Sequence, residues 1–328
     1  MSELTEDQNL IVETARSFAQ ERLRPNAARW EEEGLSRAVL RELGALGFAG
    51  IYVREDVGGS GLTRLDAALI FEELSRGCIA TAAFLSIHNM CSWMIDAFGS
   101  EEQRAQWLPK LTRMEQIASY CLTEPGSGSD AGAMRTTAKA DGNAHYVVNG
   151  SKAFISGAGF SDLYVLMCRT GEDGPKGVST VLVKSGAPGL SFGKAEDKMG
   201  WRAQPTAIVN FEDCRIPAED RIGPEGEGFK YAMKGLDGGR LNIAACALGG
   251  ATPGRKKYWP AKRKMAALIS QSTKPIAMAR MIIVLAPRPN RFAVYAFSIS
   301  REMITRMISF VPSRMRCTRR SRTIRSTS

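Results

Sequence analysis

The apolar period changes twice along the chain, and this constrains the fold more than anything else in the sequence. Up to about residue 115 the apolar residues recur at helical spacing. Ile11, Ala15, Phe18 and Ala19 form one stripe, and Val39, Leu40, Leu43 and Leu46 form another that stops around Gly47. Helices are expected through Leu69, Ile70, Phe71 and Leu74, and from Ala80 to Phe98. Thr5-Glu-Asp-Gln8 and Ser100-Glu-Glu-Gln103 read as capping boxes, and Pro25 ends the first run. From Ala118 to about Arg221 short apolar runs take over, among them Tyr164-Val-Leu-Met, Ser179-Thr-Val-Leu-Val, Gly189-Leu-Ser-Phe and Ala207-Ile-Val-Asn-Phe. Gly, Pro and Asp bound them, and Asp141-Gly142 and Asn149-Gly150 read as hairpin turns. Helical spacing returns at Phe229, Ala232 and Met233 and resumes from Leu241 through Ala245 and Leu248. A chain patterned in this way must build helices on both sides of a compact β unit, sandwich or barrel.

At the first change of period lies Tyr120-Cys-Leu-Thr-Glu-Pro-Gly-Ser-Gly-Ser-Asp130. Gly126 and Gly128 allow a tight turn and close approach of a ligand, and Pro125 biases Glu124 away from helix. Thr123, Ser127 and Ser129 add hydroxyls, and the amides of such a turn point at negative charge. The stretch reads as a loop holding a polar, phosphate-bearing ligand. Gly126-Ser-Gly-Ser-Asp-Ala131 also satisfies G-x-G-x-x-G/A, but that fingerprint needs a helix directly after it, and strand-like runs follow here.

Composition narrows the function classes. With only His88 and His145, histidine metal sites and Ser-His-Asp chemistry are disfavoured, and a packed or surface imidazole is the plainer reading of each. Seven cysteines without a C-x-x-C pair suggest reduced thiols. No run of 18 apolar residues occurs, so no membrane span is expected. The acidic start, Met1-Ser-Glu-Leu-Thr-Glu-Asp7, does not resemble a targeting peptide, which points to bacterial-type cytoplasm, or to the mitochondrial matrix in a eukaryote. The net charge of +10 is two charges in one chain: residues 251–328 hold 18 Lys and Arg and one acid, Glu302, for +17, against −7 for residues 1–250.

Cys121-Leu-Thr-Glu-Pro-Gly-Ser-Gly-Ser-Asp-Ala-Gly-Ala133 resembles the first motif of the acyl-CoA dehydrogenase family. His88-Asn-Met-Cys-Ser-Trp-Met-Ile-Asp96, Asn149-Gly-Ser-Lys-Ala-Phe-Ile-Ser-Gly-Ala-Gly159 and Gly235-Leu-Asp-Gly-Gly-Arg-Leu-Asn-Ile243 extend the resemblance, which runs from about residue 5 to about 250. It is strongest toward members acting on isobutyryl-CoA. The resemblance implies an α+β fold: an N-terminal α-helical domain at 1–115, a middle β-barrel or sandwich domain at 116–222, and the first helix of an incomplete C-terminal α-helical domain at 223–250. Residues 251–328 form a divergent basic tail, read as a frame-shifted translation of a full-length dehydrogenase gene.

The resemblance also implies FAD as cofactor and a short branched acyl-CoA as substrate, placing the chain in valine catabolism. The flavin would be bound by Tyr120, Cys121, Leu122, Thr123, Glu124, Pro125, Gly126, Ser127, Gly128 and Ser129, with Phe154, Ile155 and Ser156. Ser129, Asp237, Gly238, Gly239 and Arg240 would meet the substrate. Electron-transfer flavoprotein is the implied acceptor and a homotetramer the implied assembly, with the tail at odds with the latter; no nucleic-acid or membrane partner is expected. The family's base is a late glutamate in a Leu-Glu-Gly-like setting. Glu302, in Ser300-Arg-Glu-Met-Ile304, does not match it, and the alternative base position of some relatives is Gly239, so no catalytic residue is assigned. The alternative function is a non-catalytic binding remnant.

Overall fold

A computed structural model describes residues 4–251. The basic tail and Glu302 lie outside the described residues. The helical part runs α1 (Glu6–Phe18), α2 (Ala27–Glu33), α3 (Arg37–Ala45), α4 (Arg64–Gly77), α5 (Ile79–Phe98) and α6 (Glu101–Leu111). Both expected capping boxes form, at Thr5 and at Ser100, and a third forms at Thr63 with Asp66. Helix α1 runs on through a wider turn at Ala19–Leu23 before Pro25 stops it. Helix α2 was not legible in the sequence. It is only seven residues long, and Trp30 is its single buried side chain. The most apolar helix, α5, is buried nearly all round, because α4, α6, α7 and β1 pack against it.

The strands are β1 (Ala118–Cys121), β2 (Thr137–Asp141), β3 (His145–Ser156), β4 (Leu163–Arg169), β5 (Val178–Lys184), β6 (Leu190–Phe192), β7 (Thr206–Pro217) and β8 (Arg221–Ile222). They hydrogen-bond in the order β6-β7-β3-β2-β4-β5-β8, with β1 parallel to β4. The path folds over on itself, as alternate residues of β4 and β5 show. Leu163, Val165, Met167 and Leu182 face a core shared with α5, α6 and α7, while Tyr164, Leu166, Cys168 and Val183 face β3 and β7. Burial on both faces is why these strands read as unbroken apolar runs.

One expected turn is absent. Asn149-Gly150 sits inside the twelve-residue β3 as a bulge, with a register shift against β7 between Val148 and Gly150. Gly150 has φ 142°, and a Cβ there would come within 2.6 Å of Thr136 Oγ1. The glycine serves a close crossing of strands rather than a reversal. Asp141-Gly142 does turn the chain between β2 and β3, with Gly142 at φ 62°.

The last described element is α7 (Gly228–Ala251), one continuous helix through all its glycines. Glycine normally weakens a helix by about 1 kcal/mol relative to alanine. Here packing requires it: a Cβ at Gly235 would touch Met94 Sδ at 3.1 Å, and one at Gly238 would overlap the Arg64 guanidinium.

Candidate functional site

Strand β1 delivers the chain into the hydroxyl-rich loop at the edge where β3 ends. Glu124 and Ser127 exchange two backbone hydrogen bonds, at 3.0 and 3.1 Å, closing a turn around Pro125 and Gly126. The Ser127 hydroxyl donates to the Asp130 carbonyl. Neither Gly126 nor Gly128 has a positive φ, and a Cβ on either would meet no atom within 4 Å. The turn itself therefore does not need these glycines; a group approaching the loop from outside would.

Glu124 faces inward. Its carboxylate, 7% exposed, accepts from Lys152 Nζ at 2.8 Å and from the Arg135 and Thr136 amides at 2.6 and 2.9 Å. Burial would raise its pKa, but the Lys152 charge and these hydrogen bonds outweigh that and hold it below the usual carboxylate value. Lys152 has no exposed surface and also donates to the Leu122 carbonyl at 3.0 Å. The pair ties the loop to β2 and β3. Its lysine could not be found from the sequence, since it lies 28 residues from the glutamate.

The second predicted segment meets the first through two backbone anchors. The Ala153 amide donates to the Thr123 carbonyl at 2.8 Å, and Ser119 Oγ donates to the Ser156 carbonyl at 2.6 Å. Between them Phe154 is held at φ 57° and is 66% exposed. A bulky residue in the left-handed region is a strained arrangement. The hydroxyls of Thr123, Ser129 and Ser156 have no hydrogen-bond partner among the described residues. Cys121, Leu122 and Ile155 are buried, and their side chains are core rather than site.

The third predicted segment comes close through Tyr120, whose hydroxyl donates to the Ala232 carbonyl of α7 at 3.2 Å. Burial, with Cys91 adding to it, pushes the Tyr120 phenol well above its ordinary pKa, and the Arg240 charge acts the other way. Arg240 is exposed and pairs with Asp237 one turn earlier at 2.7 Å. Gly239 carries no side chain, and Met90 Sδ stands 3.3 Å from where its Cβ would be. Among the described residues, no group of His, Cys, Asp and Glu could hold a metal ion.

Chemically, the loop and the end of β3 offer free hydroxyls, a cradle left open by two glycines and an exposed aromatic ring. That set suits a planar, polar ring system with hydrogen-bonding edges. Of the carboxylates here, Glu124 is turned inward to Lys152 and Asp237 pairs with Arg240, while Asp130 at the end of the loop is exposed.

Two family models match the chain: the acyl-CoA dehydrogenase N-terminal domain over residues 5–115 and the middle domain over 119–214. Isobutyryl-CoA dehydrogenase of Dictyostelium discoideum is 60% identical over 250 residues, which is 76% of this chain and 60% of that protein. The chain thus spans about three fifths of that relative's length. Butyryl-CoA dehydrogenase of Megasphaera elsdenii superposes with a TM-score of 0.73 at 35% identity, over 76% of this chain and 67% of that one. The FAD complex of PigA gives a TM-score of 0.73 at 32% identity, over 76% and 66%. With both models in order along the sequence and the shared strand-and-helix plan described above, the chain belongs to the acyl-CoA dehydrogenase family.

Proposed function

We propose that this chain binds FAD and a short branched acyl-CoA, and that it descends from an enzyme that dehydrogenates the α,β-bond of such thioesters. The observation that carries the reading is the pairing of the loop with the end of β3: the Ala153 amide bonds the Thr123 carbonyl next to a strained, exposed Phe154, and the hydroxyls of Thr123, Ser129 and Ser156 have no partner among the described residues. FAD would supply the redox chemistry when bound. Thr123 and Ser156 would hydrogen-bond its ring, and Phe154 would lie against it. Ser129 would meet the pantetheine arm, and the Asp237–Arg240 stretch of α7 would lie along the acyl-CoA. The 60% identity to isobutyryl-CoA dehydrogenase supports the branched four-carbon acyl group as substrate. Electron-transfer flavoprotein as acceptor and a homotetrameric assembly follow from the same reading.

A specific observation favours the second reading, a non-catalytic binder. Gly239, at the alternative base position, has no side chain, and Asp237 is paired with Arg240, so neither offers a free base. A missing general base costs about 10²–10⁴ in rate. One experiment separates the outcomes. Purified protein should carry flavin absorbance, and isobutyryl-CoA added without oxygen should perturb that spectrum. Full bleaching would establish turnover chemistry. A perturbed but unbleached spectrum would leave the binder. A colourless protein that does not take up added FAD would refute both.

A further inference from the structure

Arg64 opens α4, and its guanidinium stacks over the Tyr52 ring at 3.8 Å and the Trp93 ring at 4.9 Å. It has no carboxylate partner among the described residues, although most arginines inside this fold have one. Its edge fills the space that a Cβ at Gly238 would need, so it abuts the α7 stretch proposed to run along the acyl-CoA. One turn further, Asn242 has no exposed surface and donates to the Tyr52 hydroxyl at 2.8 Å, while its Oδ1 has no partner. Met90 and Met94 close the same helix crossing over Gly235 and Gly239.

We propose that Arg64 determines acyl-chain length: its stacked guanidinium, backed by Tyr52, Trp93 and Asn242, is the stop at the inner end of the acyl site. This rests on the acyl-CoA reading above. An apolar chain that ends short of Gly238 leaves the guanidinium edge its remaining hydration. A longer chain must either strip water from a cation that no carboxylate compensates or prise it off two aromatic rings. The methionines can flex to admit extra methylenes; the stacked charge cannot. The four-carbon limit is therefore set from α4, outside the motifs that bind the cofactor.

The test is calorimetric titration of the full chain, loaded with FAD, with isobutyryl-CoA and with octanoyl-CoA, which reads binding whether or not turnover occurs. The wild type should bind isobutyryl-CoA at least tenfold more tightly than octanoyl-CoA. Arg64→Gln, which keeps a planar group to stack but loses the charge, should tighten octanoyl-CoA about tenfold and leave isobutyryl-CoA within about threefold. Arg64→Lys should keep the wild-type preference. Should Arg64→Gln fail to fold, Arg64→Met gives the same uncharged comparison. Equal affinity of the wild type for both thioesters, or an unchanged ratio in the neutral variants, overturns the inference alone. Folded wild type that binds neither thioester overturns the acyl-CoA reading, and this inference with it.

Discussion

His88 has no exposed surface, and both its ring nitrogens are used inside the protein. The Ala118 amide donates to Nδ1 at 3.1 Å, which leaves the proton on Nε2 to donate to the Leu111 carbonyl at 2.9 Å. One imidazole thus joins α5, the end of α6 and the start of β1. Burial pulls its pKa down to about 4, against an ordinary 6.5. The sign follows: the unfolded chain takes up the proton first, so His88 stabilises the fold fully above pH 6.5 and loses that contribution as pH falls toward about 4. The loss is about 3 kcal/mol. Urea midpoints at pH 7 and pH 4.5 should therefore fall further in the wild type than in His88→Gln. Lys152 predicts more severe damage. Lys152→Met strands the buried Glu124 carboxylate and should cost about 3–5 kcal/mol. Adding Glu124→Gln to it should recover part of that in the same urea titration.

At the scale of elements, the end of β3 depends on the glycine that directly follows it. Gly157 has φ 86°, and a Cβ there would overlap the hydroxyls of Ser119 and Ser161, which bond each other at 2.7 Å. Gly157→Ala should cost about 1–3 kcal/mol through backbone strain alone. Because Ser119 also holds the Ser156 carbonyl, the variant should release flavin more readily than its lowered stability accounts for. Equilibrium dialysis of FAD against wild type and variant checks this. The helix starts were readable because capping is local, and Thr5 and Ser100 signal it within four residues. The bulge at Gly150 was not. Asn-Gly suits a two-residue turn and a bulge equally, and only the nearness of Thr136 across the sheet decides between them.

At the scale of the whole molecule, two compositions meet near residue 251. The family models match only residues before that point, and a +17 segment with one acid follows it. Read as a shift of frame, this predicts that translating the neighbouring frames of the gene beyond codon 250 restores a family-like sequence with a late Glu-Gly pair; if neither frame does so, the reading fails. The sequence by itself determined where helices give way to strands, where the helices are capped and which short runs bear the hydroxyls, because these depend on periodicity and neighbours within a few residues. Tertiary structure alone decided that Glu124 turns inward to Lys152, that Gly238 makes room for Arg64, and that His88 stitches α5 to β1. Each of those pairs residues far apart in the chain, and a buried charge or ring nitrogen takes its partner from whatever packing brings within reach.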